Sequence, residues 1–151
     1  MPDVFISYSA KDEPFAKIVH DHLRINDLNV FMASISLQQG ERWTPQIIEA
    51  LRNSDWVFLL ATQNALASPN VQQEIGGAVF GKKRLVPIMW DIQPEQLPTW
   101  VSQFQGLALS GATIEDINLR IAQLAAKVKA DKNKGQLVVG AVLLALLMLA
   151  R

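Results

Sequence analysis

Up to Ser110 the chain alternates short apolar runs with helix-length segments that open on capping residues, and few folds accept that order. The runs are VFISYS (Val4 to Ser9), NVFMA (Asn29 to Ala33), WVFLLAT (Trp56 to Thr62), RLVPIMW (Arg84 to Trp90) and, more weakly, GLALS (Gly106 to Ser110). Their β-branched, aromatic and aliphatic content predicts strands. The intervening segments begin with Asp12 before Glu13 and Pro14, Thr44 before Pro45, Ser68 before Pro69, and Thr113 followed three residues later by Asp116. Each pairs a side chain able to accept from a free helix N–H with proline or an acid in the first turn. A strand that is apolar almost throughout has both faces covered, which is the condition of a parallel sheet between two helical layers. The expectation is an α/β fold of roughly five strands, with its functional residues at the strands' carboxyl ends.

Composition narrows the chemistry. A chain of 151 residues, 50% hydrophobic, can bury one sizeable core. Its formal net charge is zero, so no nucleic-acid partner is expected, because such proteins carry a basic excess to neutralise phosphates. Without cysteine there is no disulfide, thiolate metal site or thiol nucleophile, which suits a reducing, cytoplasmic location. The amino-terminal MPDVFISYS lacks the pattern of a secretory signal. Neither the first nor the third strand is followed by a glycine-rich phosphate loop or a Walker lysine. The carboxylates of a phosphoacceptor site are also missing from those strand ends.

One acid stands out. In SPNVQQEIGGA (68 to 78), Glu74 is the only carboxylate between Asp55 and Asp91. At about 100° per residue, Val71, Ile75, Ala78 and Val79 form one apolar helix face, and Glu74 falls on its edge beside Asn70, Gly77 and Gly81. The acid therefore borders an open surface of small residues. An ordinary solvated glutamate on a helix surface remains the competing reading.

Four blocks, DVFISYSAKD (3 to 12), the long stretch from Asn29 to Thr62, SPNVQQEIGGA and KKRLVPIMWD (82 to 91), together resemble a bacterial Toll/interleukin-1 receptor (TIR) domain over roughly residues 3 to 126. The resemblance implies a flavodoxin-like TIR fold, a domain over 1–130, homotypic self-association through the loop at about Ala33 to Trp43, and NAD+ cleavage with an essential glutamate on the third helix. By position that glutamate is Glu74. NAD+ enters as substrate; no resident cofactor and no metal are implied. A single acid suffices in principle. Glycoside hydrolysis with an alkoxide leaving group needs a second carboxyl to protonate it, whereas nicotinamide departs from a pyridinium bond as a neutral base. One carboxylate can hold the ribose hydroxyls and stabilise the developing cation. Replacing Glu74 by Gln or Ala is accordingly expected to abolish nicotinamide release with melting nearly unchanged.

Around it, Tyr8 and Ser9 are candidates for nucleotide contact or for capping the following loop, and Phe31 and Met32 for one pocket wall. Ser68 is expected to cap its helix, with any substrate role secondary. The chain departs from the family at Ala33, where many members carry aspartate, and at Asn70, where some NAD-cleaving members carry tryptophan, so stacking on the substrate differs here. Trp43 reads as a core anchor, and Lys82, Lys83 and Arg84 as a solvated cluster. His20 and His22, two apart on a helix, diverge and make a poor metal pair. A basic linker is expected at 131–136, ended by Gly135, and then an apolar tail at 137–151. The run from Leu137 to Ala150 falls short of the roughly 20 residues that span a bilayer, leaving three readings: the front of a transmembrane helix, a tail dipping into a membrane, or a helix packed on a partner subunit. The lysine-rich approach places the domain on the cytoplasmic side. Two functional classes follow, an NAD+ glycohydrolase or cyclase of antiphage defence, and a non-catalytic adaptor that signals by TIR–TIR assembly.

Overall fold

The computed structural model describes residues 2–32 and 43–149, and side chains within these except 43–44 and 135–144. Five strands, β1 (Val4–Ser7), β2 (Val30–Phe31), β3 (Trp56–Ala61), β4 (Arg84–Met89) and β5 (Leu107–Ala108), form one sheet in the order β2-β1-β3-β4-β5. Every pairing is parallel, with Val4 opposite both Val30 and Trp56, Trp56 opposite Arg84, and Ile88 opposite Leu107. The fold class expected from the alternation of runs is the one observed.

The longer helices are α1 (Glu13–Ile25), α2 (Trp43–Asn53), α3 (Pro69–Phe80) and α4 (Ile114–Leu149), with single turns at Gln63–Leu66 and Thr99–Ser102. Parallel strands joined by right-handed crossovers put a connection on one face when the chain steps one way along the sheet and on the other face when it steps back. The step from β1 to β2 runs outward, and α1 lies on one face with α4. The steps from β2 to β3 and from β3 to β4 run the opposite way and put α2 and α3 on the other face. Two cores result. Val4, Ile6, Phe58 and Leu60 pack with Ala16, Val19 and Leu23 of α1 and Ile117, Ile121, Ala125 and Val128 of α4. Phe5, Val57 and Leu59 pack with Ala50 of α2 and Val71, Ile75 and Ala78 of α3. Burying each large aliphatic side chain contributes about 1.5–3 kcal/mol. The reversal of direction falls between β1 and β3, and the crevice beyond their carboxyl ends is the place where this topology leaves room for a ligand.

Two glycines permit close approaches. A Cβ on Gly77 would lie 3.0 Å from Leu51 Cδ2, so α2 and α3 sit tightly together, and one on Gly106 would lie 2.7 Å from the Pro87 carbonyl oxygen, where β5 joins β4.

Local signals succeed at two helix starts. Ser68 Oγ accepts from the Val71 N–H at 3.4 Å, and Thr113 Oγ1 from the Asp116 N–H at 3.2 Å. They fail at Asp12, which stands before α1 but makes no cap bond. Its carboxylate accepts instead from the Thr62 hydroxyl and from Asn64 Nδ2. Helix α2 starts at Trp43, so Thr44 lies within its first turn.

Residues 131–136, expected as a linker, are helical, because α4 runs unbroken from Ile114 to Leu149. A lone glycine costs a helix only about 1 kcal/mol, and ion pairs tie this turn down: Asp131 accepts from Arg84 at 2.9 Å and Lys132 Nζ donates to Asp3 at 3.0 Å. Arg84 also lies 5.1 Å from the Trp56 ring centroid, and Lys83 Nζ donates to the Arg52 carbonyl at 2.6 Å. The cluster at 82–84 is thus partly committed to internal partners. Leu146, Leu147, Met148 and Leu149 at the end of α4 are exposed. No helix among the described residues is long and apolar enough to cross a membrane.

Candidate active site

The strand period sets which groups meet over the crevice. Along β1, Val4 and Ile6 face α1 and α4, and Phe5 faces α2 and α3; period two puts Ser7 on the same face as Phe5. Ser7 is fully buried at the carboxyl end of the strand, paired in register with Leu59 of β3. Helix α3 crosses above this end. Its buried stripe, Val71, Ile75 and Ala78, leaves Glu74 half-buried on the edge of that stripe, between the exposed Gln73 and Gly77.

Burial governs the carboxyl. Removal of water pushes the Glu74 pKa from 4.5 up to about 7, and the Ser7 hydroxyl pulls against that rise by favouring the ionised form. The Ser7 approach is looser than a full hydrogen bond: among the described residues, Ser7 Oγ is the buried side-chain oxygen with no partner of normal geometry. A carboxyl poised near neutrality beside an open, small-residue surface can serve as an anionic stabiliser or as a proton acceptor under ordinary cellular conditions.

The other candidates divide between the two faces. Phe31 lies on the Glu74 face, stacked on Phe5 with ring centroids 5.3 Å apart, in the core that also holds Ile75. Asn70 is exposed in the first turn of α3, one turn before Glu74 and on the same side of the helix. Ser68 holds its Oγ to the helix cap. Met32 is fully buried in the opposite core, and Tyr8 packs against that same core, so neither shares the face of Glu74. Ser9 is buried and accepts from the Lys11 N–H at 3.4 Å, which is the capping alternative. Ser7, whose hydroxyl acts on the acid, is not among the residues that the sequence singles out. The available signal was period two: a serine in line with Phe5, at the end of an otherwise apolar strand.

The carboxyl edge of the sheet is stitched together. Asp12 links the turn after β1 to Thr62 and Asn64 after β3, Thr62 Oγ1 also accepts from the Ala65 N–H at 3.0 Å, Asp91 accepts from the Gln63 N–H at 3.0 Å, and Ser110 Oγ donates to the Trp90 carbonyl at 2.8 Å. These bonds fix the strand ends against one another. An open groove lined by Pro45, Ile48, Glu49, Arg52 and Asn53 lies along α2 and does not include Glu74. His20 and His22 engage Asp21 and Asn118 separately, and no cluster of three or more histidine or acidic side chains among the described residues is placed to hold a metal. The loop from Ala33, with Gly40, lies outside the described residues, as does the side chain of Trp43.

A doubly wound, five-stranded parallel α/β domain with a half-buried carboxyl over its switch point is the class that fold and site define. The TIR domain family model matches residues 4–125, and the chain belongs to that family. Among individual proteins it is similar to one from Brachypodium distachyon named as a probable 2′ cyclic ADP-D-ribose synthase, BdTIR, at 26% identity over 97 residues, covering 63% of this chain and 43% of that protein. The chain therefore aligns with less than half of that relative. Among solved structures it is similar to the TIR domain of the Toll-related receptor TRR-2 from Hydra magnipapillata, with a TM-score of 0.70 at 15% identity, covering 85% of this chain and 99% of that one. A TIR-STING receptor from C. gigas, solved with 2′,3′-cGAMP, gives a TM-score of 0.68 at 21% identity, covering 83% of this chain and 39% of that one. At these identities the structures establish the fold alone. The matches place the chain in the TIR family as a whole rather than among its bacterial members.

Proposed function

We propose that this TIR domain cleaves the nicotinamide–ribose bond of NAD+, with Glu74 as the catalytic carboxylate. The observation that carries the reading is the placement of Glu74, desolvated until its pKa reaches about 7, at the rim of the β1/β3 crevice. A solvated surface glutamate, which the adaptor alternative requires, would titrate near its ordinary value. The name of the Brachypodium relative, a cyclic ADP-ribose synthase, supports the same chemistry.

In the proposed reaction the bond between ribose C1′ and the pyridinium nitrogen breaks, and its electron pair leaves with neutral nicotinamide. The ionised Glu74 stabilises the cationic ribose and holds its hydroxyls. Water then adds at C1′, with loss of one proton to solvent, giving ADP-ribose. Addition of an adenine nitrogen or a ribose hydroxyl of the same molecule gives a cyclic product. Phe31 and Asn70 lie on the Glu74 side and are the wall and rim in this reading; Tyr8, Ser9, Met32 and Ser68 support the site from positions committed to packing or capping. Self-association of TIR domains through the 33–43 loop completes the site, and the biological setting is a cytoplasmic defence effector, bacterial and antiphage, that acts when its TIR domains cluster. The tail at 137–151 aids that clustering, by resting on a membrane or by packing on a second copy.

The test is incubation of concentrated protein with NAD+, followed by chromatography that resolves nicotinamide, ADP-ribose and cyclic products. Release of nicotinamide by the parent and none by Glu74→Gln supports the assignment; intact NAD+ in the presence of well-assembled parent protein favours the adaptor.

A further inference from the structure

A hydroxyl buried without a full hydrogen bond is unfavourable for folding, because it leaves water and recovers little in return. Ser7 Oγ is such a group among the described residues, and it lies on the face of β1 that α3 covers with Glu74. The backbone there pairs in parallel with β3 at Leu59, and alanine would fill nearly the same space. Nothing in the packing calls for an oxygen there.

We propose that Ser7 is the positioning residue of the Glu74 carboxyl: its O–H is the donor that orients the ionised carboxylate over the crevice between β1 and β3. This rests on the reading of Glu74 as the catalytic acid. The geometry suits a donor role. Ser7 sits at the carboxyl end of an inner strand, held in register with Leu59 of β3, whereas Glu74 is the longer side chain on a helix edge with several rotatable bonds. A rigid short donor below a flexible acid restricts the acid to one rotamer family, and it favours the charged form that the cation requires.

Competing charges on the neighbouring elements are already engaged or directed elsewhere. Asp12 accepts from Thr62 and Asn64, Asp91 from the Gln63 N–H, and Arg84 pairs with Asp131. Glu49 and Arg52 of α2 line the open groove on the outer side of that helix, and Lys83 donates to the Arg52 carbonyl. Tyr8, next along the chain, packs into the opposite core. Burial and the Ser7 hydroxyl are the causes acting on the Glu74 carboxyl.

The experiment compares the full chain with Ser7→Ala and Ser7→Thr. The Glu74 side-chain carboxyl is followed by carbon NMR across pH, alongside thermal melting and the kinetics of nicotinamide release. Loss of the donor moves the Glu74 titration to higher pH in Ser7→Ala, and Thr, which keeps the hydroxyl, returns it towards the parent value. At pH 5, where the folded Glu74 carboxyl is protonated, Ser7→Ala melts at or near the parent temperature, and above pH 7 it melts lower, because the ionised carboxylate has lost its donor. Its kcat falls about tenfold, the size of one hydrogen bond to a charged group, with KM within about twofold. An unchanged titration in Ser7→Ala overturns the proposal, as does a kinetic loss that Thr fails to rescue. The NMR titration needs no turnover, so a protein that releases no nicotinamide would refute the catalytic reading while the titration still decided the Ser7–Glu74 contact.

Discussion

Replacing Glu74 by Gln should stabilise the protein by an amount that depends on pH. Folding moves this carboxyl from 4.5 to about 7 through loss of water, against a smaller opposing effect from Ser7. Below pH 4.5 the acid is protonated in both folded and unfolded chains and contributes no difference. Between 4.5 and about 7 the unfolded chain gives up its proton while the folded chain keeps it, so stability falls as pH rises. Above 7 the folded carboxyl is ionised too and the penalty is complete. At about 1.4 kcal/mol per pH unit the penalty is roughly 3 kcal/mol, and partial exposure of the side chain reduces it to about 2–3 kcal/mol. Gln has a similar shape and no charge to desolvate. For a chain of this size, each kcal/mol moves the melting temperature by about 2–4 °C, so Glu74→Gln should melt roughly 4–12 °C above the parent at pH 8 and at the same temperature at pH 4. Circular dichroism melts at several pH values measure this directly. A difference independent of pH, or a less stable variant at pH 8, would refute the claim that Glu74 is desolvated. The sequence alone suggested nearly unchanged melting; half-burial of the acid is what alters the expectation.

Deleting residues 136–151 should leave a folded domain with the parent's secondary structure, because the buried stripe of α4, Ile117, Ile121, Ala125 and Val128, and the pairs at Asp131 and Lys132 all precede the cut; gel filtration and lipid flotation of both chains then show whether the exposed apolar end serves a second copy or a membrane. Loss of the amide spectrum's native dispersion on deletion would mean the distal helix is part of the fold. Arg84→Ala should cost no more than about 1 kcal/mol by urea unfolding, since its ion pair with Asp131 is exposed and its guanidinium stays solvated where it lies over the Trp56 ring; a loss above 3 kcal/mol would show that the pair anchors α4. Activity should rise more steeply than linearly with protein concentration, and Gly40→Val should reduce it by restricting the loop backbone; strict linearity with a fully active variant would point to a self-contained monomer.

Much of this architecture was legible in the chain because it depends on local pattern. Apolar runs bounded by Ser68–Pro69 or Thr113 state where helices begin, and unbroken hydrophobicity at Trp56 to Ala61 states that a strand is covered on both faces. Glu74 could be found because a lone acid among small residues is conspicuous on a helical wheel. What was illegible depends on tertiary distance. Asp12 looks like a cap, yet Thr62 and Asn64, fifty residues on, capture its carboxylate. Gly135 looks like a stop, yet the helix passes through it. Tyr8 and Ser9 are conspicuous as polar residues at a strand end, while Ser7 reads as one more strand residue; only the position of α3 over β1 puts its hydroxyl on the same face as the acid.

If one desolvated carboxylate, Glu74, is what releases nicotinamide, the pH dependence of kcat/KM for parent and Glu74→Gln will carry its titration. Parent activity should climb tenfold per pH unit on the acid side and level off near pH 7, where the Glu74 carboxyl ionises, with no measurable release by Glu74→Gln at any pH. Release by Glu74→Gln at a rate near the parent's, with the same pH profile, would contradict it.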